Sequence, residues 1–192
     1  MSAELILAKS AGFCYGVKRA VELAEKTAEE GTPCVMLGSI IHNQDMIDKL
    51  AREGIVSVDR PEDVPENVSV IIRSHGESRA VHEGLEKRGI RILDATCPNV
   101  TRIHKLVTQA EERGRQPVIV GTPNHPEVAA IAGWCNHRVV VSGWEDLEKW
   151  LAESPKNCDL PLTFVSQTTS TKKIWESCVK KAKKECTNAE FF

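Results

Sequence analysis

No stretch of this 192-residue sequence approaches the roughly 20 consecutive apolar residues needed to cross a bilayer. Its first residues, MSAELILAKS, hold too short an apolar run for a signal peptide and lack the Arg- and Ser-rich character of a transit peptide. A cytoplasmic protein is therefore expected, with no membrane partner. A charge excess is also missing: 25 Lys and Arg against 27 Asp and Glu leave a formal net charge of −2, so nothing asks for nucleic acid or an acidic partner. The local excess, six lysines against three acids in 172–192, reads as the solvated face of a helix, because Trp175, Val179, Ala182 and Cys186 recur among the lysines at helical spacing. Neither Gly-x-x-x-x-Gly-Lys-Ser/Thr nor Gly-x-Gly-x-x-Gly occurs, which leaves nucleotide sites unsupported. Histidines, hydroxyls and bare helix N-termini can still hold a diphosphate. Cys-x-x-Cys pairs are absent although the cysteines number seven. An odd count without an export signal points to reduced thiols or metal ligands rather than a disulfide framework.

What is present is an alternation of short apolar, β-branched runs with stretches of helical period. The strands predicted are Leu5–Ala8, Cys34–Leu37, Val68–Ile72, Ile90–Leu93, Pro117–Val120, Arg138–Val141 and Leu162–Val165. Helical patterns run through Val17 to Ala28, Met46 to Leu50, Val100 to Ala110 and the lysine-rich tail. Such alternation predicts an α/β fold with mainly parallel sheets, and the near-continuous apolar strands predict helices on both faces. Three strands lead into a loop with a histidine and then a helix, in GSIIHNQ, IIRSHGES and IVGTPNHPEV. This irregular echo suggests two similar lobes, 1–96 and 97–192, packed directly because no Gly/Ser- or Pro-rich linker separates them.

Ligands of open α/β sheets bind beyond the carboxyl ends of the strands. The residues expected there are Cys14; His42 and Asn43; Ser74, His75 and Gly76; Asp94, Thr96 and Cys97; Asn124, His125 and Glu127; and Gln167 to Ser170. Two thiols have the better local case. Pro98 suits the first position of a helix, which puts Cys97 at the N-cap. There, unpaired amides and the positive dipole end suit a thiolate. Gly12 and Gly16 permit a tight turn around Cys14, with a helix opening at Val17. Pro126 repeats the device with His125 as the cap. The other five cysteines read as structural, and a structural zinc is disfavoured because Cys14 and Cys97 stand 83 residues apart without a nearby second ligand. A thiolate at a helix start can serve as nucleophile or as metal ligand.

The motifs GFCYGV, HN after the second strand, SHG, DATCP, NHPEV and QTT, in this order and spacing, resemble the hydroxymethylbutenyl diphosphate reductase family over essentially the whole chain. That resemblance implies three α/β lobes around a [4Fe-4S] cluster, of which this sequence would supply two. It implies reductive removal of the hydroxyl of 4-hydroxy-3-methylbut-2-enyl diphosphate to give isopentenyl and dimethylallyl diphosphates, at the end of the non-mevalonate isoprenoid pathway. Carried over by motif, Cys14 and Cys97 match cluster ligands, and His42 and His75 match histidines at the diphosphate. His125 matches a substrate-contacting histidine, Glu127 the proton-relaying acid, and Thr168 a threonine that places substrate. A ferredoxin or flavodoxin is the implied electron donor. The family's third lobe, with the third cluster cysteine, should follow CTNAEFF. Segment 1–14 is expected to pack against it, and Cys178 and Cys186 lie in a lysine-rich helix unsuited to replace that ligand. The chain alone is therefore expected to hold no stable cluster. The alternative is a two-lobe diphosphate-binding pseudoenzyme without redox chemistry.

Overall fold

The computed structural model describes residues 6, 8, 11–41 and 43–192. The described residues form two four-stranded sheets in which every strand is parallel to its neighbours. The first contains β1 (Cys34–Leu37), β2 (Val56–Val58), β3 (Ser69–Ile72) and β4 (Ile92–Asp94), in the order β2-β1-β3-β4. Around it lie α1 (Tyr15–Glu29), α2 (Gln44–Arg52) and α3 (Arg79–Lys87). The second contains β5 (Gln116–Val120), β6 (Val139–Val141), β7 (Leu162–Ser166) and β8 (Ala189–Phe191), in the order β6-β5-β7-β8. Its helices are α4 (Pro98–Glu112), α5 (Pro126–Ala132), α6 (Trp144–Glu153) and α7 (Lys172–Glu185). Among the described residues no helix is long and apolar enough to cross a membrane.

Strand alternation divides each sheet between two cores. In the first sheet Cys34, Met36 and Ile71 face Ala20, Val21 and Ala24 of α1 and Leu50 of α2. Val35, Leu37, Val70 and Ile72 face the other way, onto Leu85 of α3. Neighbouring residues pointing to opposite sides are both buried, so the run Cys34–Leu37 is apolar throughout. In the second sheet Val118, Val120, Leu162 and Phe164 pack on α6 and α7. Ile119 and Val165 pack on Val107 of α4 and on Val128 and Ile131 of α5. Each such side chain, fully buried, contributes about 1.5–3 kcal/mol.

The two-lobe parallel architecture is the one expected from the sequence, with differences at the edges. α1 opens at Tyr15, two residues before Val17. β4 lies at Ile92–Asp94, because Ile90 closes the end of α3 instead, its N–H donating to the Leu85 carbonyl at 3.1 Å beyond Gly89 at φ 70°. The helix expected after IIRSHGES is α3, whereas β2, β8 and α6 are not among the expected elements. The two strands are three-residue edge strands, partly exposed, and both helices carry too many charged residues for a clear apolar period. The strand expected at Leu5–Ala8 rests on positions 5 and 7, outside the described residues, as does His42.

Candidate active site

The eight described strands run parallel within their sheets, so the loops that follow them gather at one edge of each. Backbone hydrogen bonds tie these loops together. The Ser74 N–H and hydroxyl both donate to the Ile40 carbonyl, at 3.4 and 3.1 Å, which joins the loops after β1 and β3. The Cys97 N–H donates to the Ser74 carbonyl at 2.9 Å, and Arg19 Nη1 donates to the Thr96 carbonyl at 3.1 Å. The start of α4 is thereby fixed to both the β3 loop and α1.

Cys14 and Cys97 are the N-caps of α1 and α4, with Pro98 in the first turn of α4 as expected. The caps of the other helices are mostly occupied: Asn43 Oδ1 accepts from the Met46 N–H at 3.0 Å, and Ser78 Oγ from Val81 at 3.3 Å. Neither thiol makes a capping hydrogen bond. A Cβ on Gly16 would meet Cys97 Sγ at 2.5 Å, so the Cys97 sulfur lies against the first turn of the helix that Cys14 caps. Tertiary packing has brought two helix N-termini, 83 residues apart in sequence, to one place. Cys14 is exposed, flanked by the exposed rings of Phe13 and Tyr15, and Cys97 is half-buried.

All seven cysteines are free. Burial pushes the Cys34, Cys135, Cys178 and Cys186 thiols up to about 11, which makes them poor thiolates and poor ligands near neutral pH. Among the described residues no group of three or more His, Cys, Asp or Glu side chains is assembled for a metal. The donor set that is assembled, two soft sulfurs uncommitted to capping, suits part of an iron–sulfur ligand set better than a hard cation.

The second lobe contributes oxygen and nitrogen. His125 caps α5, its Nδ1 accepting from the Glu127 N–H at 3.1 Å, so the neutral ring carries its proton on Nε2. Its ring stands 5.6 Å from that of His75, edge to face, across the lobe boundary. Glu127 is 2% exposed. Its two oxygens accept from the N–H of Thr168 at 2.6 Å and from the Thr168 hydroxyl at 2.8 Å. No ion pair among the described residues includes Glu127, so its carboxyl is held by neutral donors alone. The neighbouring Gln167 accepts from the Thr122 N–H at 3.0 Å and donates to Thr169 Oγ1 at 2.6 Å. A Cβ on Gly121 would stand 2.9 Å from Gln167 Cβ and 2.7 Å from Val128 Cγ2, so a residue without a side chain is needed where the loops after β5 and β7 touch.

A cavity of about 390 Å³ opens between Thr168, Gln167 and Ser170 on one side and Asn99 and Arg102, just after Cys97, on the other. A second of similar volume lies behind the Cys97 turn, against His104 and Trp134. The described candidates thus fall into a sulfur pair, a histidine pair and a carboxyl–hydroxyl pair. Sequence reading did not find the tie through Ser74 or the bracing by Gln167. Ser74 acts largely through its backbone, which leaves no side-chain signature, and Gln167 reaches a residue 45 positions away.

The chain is 37% identical over 194 residues to the 4-hydroxy-3-methylbut-2-enyl diphosphate reductase of Caldanaerobacter subterraneus, covering 98% of this chain and 65% of that protein. It is 40% identical over 184 residues to the protein of the same name from Clostridium acetobutylicum, covering 94% of this chain and 28% of that one. The fold matches the solved E-1-hydroxy-2-methyl-but-2-enyl-4-diphosphate reductase of Plasmodium falciparum with a TM-score of 0.87 at 28% identity, over 96% of this chain and 57% of that one. A solved (E)-4-hydroxy-3-methyl-but-2-enyl diphosphate reductase, described as the terminal enzyme of the non-mevalonate pathway, matches with a TM-score of 0.83 at 35% identity, over 98% and 66%. The chain spans 28% to 65% of the length of the curated relatives it matches. The family model for the LytB protein matches residues 5–192, and the chain belongs to that family.

Proposed function

We propose that residues 1–96 and 97–192 are two lobes of a 4-hydroxy-3-methylbut-2-enyl diphosphate reductase, an iron–sulfur oxidoreductase acting in the cytoplasm with a ferredoxin or flavodoxin as electron donor. The observation that carries this reading is the Glu127–Thr168 pair: a buried carboxyl, held at both oxygens by neutral donors, whose Thr168 lines a cavity with Asn99 and Arg102 of the helix that Cys97 caps. Removing an allylic hydroxyl as water consumes two electrons and two protons, so the site needs a buried proton carrier beside a one-electron source. Glu127 is that carrier, delivering protons toward the cavity that Thr168 lines. Cys14 and Cys97 would hold a [4Fe-4S] cluster, which when bound supplies electrons and a Lewis-acidic iron for the hydroxyl. A third ligand would come from the part of the relatives' length that this chain does not span. The exposed Phe13 and Tyr15 on either side of Cys14 support packing of a further lobe there. His75 and His125, with His42, hold the diphosphate and fix the carbon skeleton. Seven free thiols suit a reducing compartment.

The test is Glu127→Gln in the full-length protein, loaded anaerobically. Turnover of the allylic alcohol should fall about 10²- to 10⁴-fold with iron content unchanged. Wild-type turnover in the variant would remove the proton role. Iron-free protein that binds the isoprenoid diphosphate while the loaded protein never turns it over would favour the pseudoenzyme reading instead.

A further inference from the structure

The helix that carries His125 and Glu127 is only seven residues long, about 10 Å. Its far end is fastened to the other lobe by several contacts. Gly133 leaves no room for a side chain, since a Cβ there would stand 2.2 Å from Ser78 Cβ and 2.9 Å from Ser78 Cα. The Gly133 carbonyl accepts from the Arg79 N–H at 3.3 Å. The next residue is Trp134, whose indole Nε1–H donates to the Glu77 carbonyl at 2.9 Å, two residues after His75. Its own carbonyl accepts from Thr108 Oγ1 at 3.1 Å and from Arg79 Nη2 at 3.4 Å. The ring is clamped between lobes, with His104 of α4 stacked on it at 5.1 Å and 17°, and the Arg79 guanidinium over it at 5.3 Å. His104 in turn occupies the space beside Gly76, where a Cβ would meet its Cε1 at 2.8 Å.

We propose that Trp134 is the positioning residue for the His75–His125 pair: its indole N–H, bonded to the backbone of the His75 loop, sets the relation between that loop and the helix that presents His125. The inference rests on the reading of the two histidines as diphosphate groups. The loop is also tied at Ser74, which bonds the Ile40 carbonyl and accepts from the Cys97 N–H, and just beyond it Ser78 and Arg79 meet Gly133. Gly76 N–H closes a turn onto the Arg73 carbonyl at 3.0 Å, and Arg73 pairs with Glu77 at 2.7 Å, so the 73–77 segment is a compact unit. The Cys97 N–H holds the segment before His75, and the Trp134 indole holds it after, at the Glu77 carbonyl. A shift of this unit separates the rings without altering either histidine, and small misplacements of binding groups are costly.

The experiment is Trp134→Phe in the full-length protein, which keeps a stacking ring and loses the donor. Two readouts are taken: the affinity of the iron-free protein for inorganic diphosphate by calorimetry, and KM against kcat in the loaded enzyme. Affinity should weaken and KM rise about tenfold, the worth of one misaligned hydrogen-bonded group, with kcat changed much less. In a His125→Ala background the same substitution should cost nothing further, because two residues acting through one interaction are not additive. Equal losses in both backgrounds show a merely structural role and overturn the proposal. A weakened His125→Ala beside an unaffected Trp134→Phe overturns the positioning role alone. Unchanged affinity in His125→Ala overturns the functional reading of the pair and the proposal with it. Replacement of Trp134 by benzothienylalanine, which exchanges the N–H for sulfur at nearly constant shape, decides the matter if the phenylalanine variant does not fold, and should show the same weakening.

Discussion

The two sheets share one strand order and one polarity, yet they are filled and armed differently. In residues 1–96 the aromatic side chains are Phe13 and Tyr15, both exposed, and the cores on either face of β1 and β3 are aliphatic. The second sheet closes its edge with aromatics: Phe164 stacks on Phe191 at 5.1 Å, and Trp175 meets Phe191 edge-on at 6.4 Å. The chemistry divides along the same line. The first lobe and the turn that leaves it present sulfur and a histidine, whereas the second presents a buried carboxyl, a hydroxyl and a second histidine. Topology delivers loops to an edge in both lobes, and only the loop residues decide what that edge can do.

The largest test of this contrast is in the cores. Phe164→Ala should cost about 3–5 kcal/mol, and Ile71→Ala, at the matching central depth of the first sheet, should fall in the lower part of about 2–5 kcal/mol. Urea denaturation of both variants checks it, and a larger loss for Ile71→Ala would show that the aliphatic lobe carries the greater share of stability. Next comes the seam between lobes. Burial holds the His104 imidazole down at about 4, against the ordinary 6.5. Between these values the unfolded chain binds a proton that the folded chain does not, so stability is full above about pH 6.5 and declines as pH falls toward 4. The loss amounts to about 3 kcal/mol by pH 4, and His104→Phe should flatten that part of the pH profile measured in urea.

Gly133→Ala should destabilise by about 1–3 kcal/mol, because its Cβ must displace Ser78, including backbone. Thermal unfolding that leaves the variant unchanged would mean that the seam yields more readily than either core. The smallest effect compares two caps. Asn43 accepts from Met46 at 3.0 Å and Thr171 from Ile174 at 3.4 Å. Asn43→Ala should cost about 1 kcal/mol and Thr171→Ala less, since the longer bond is the weaker one. The reverse order in denaturant midpoints would contradict this.

The helix starts at Cys97 and His125 could be read from Pro98 and Pro126, since proline at the first helical position is a local rule. The buried strands around Val35, Ile71 and Ile119 could be read from runs of β-branched residues for the same reason. α6 could not, and α3 only from the loop that leads into it: VHEGLEK and WEDLEKWLAE bury only Leu85 in one and Leu147 and Leu151 in the other, so their apolar period is nearly hidden. The helical spacing of Cys178 reads as structural, and the structure gives the cause, full burial on the inner face of α7 against the second sheet. The six motifs identified the family and the order of its loops along the chain. They did not show which loop residue touches which.

Local sequence, then, determined the class of fold, the helix caps and the kinds of side chain offered at each strand end, because these depend on neighbours within about one helical turn. Only the tertiary structure decided that Cys97 Sγ rests against Gly16, that Glu127 is held by Thr168 41 residues later, and that Trp134 reaches Glu77 57 residues back. Those pairings depend on how two sheets and their helices pack at close density, and no local rule encodes that.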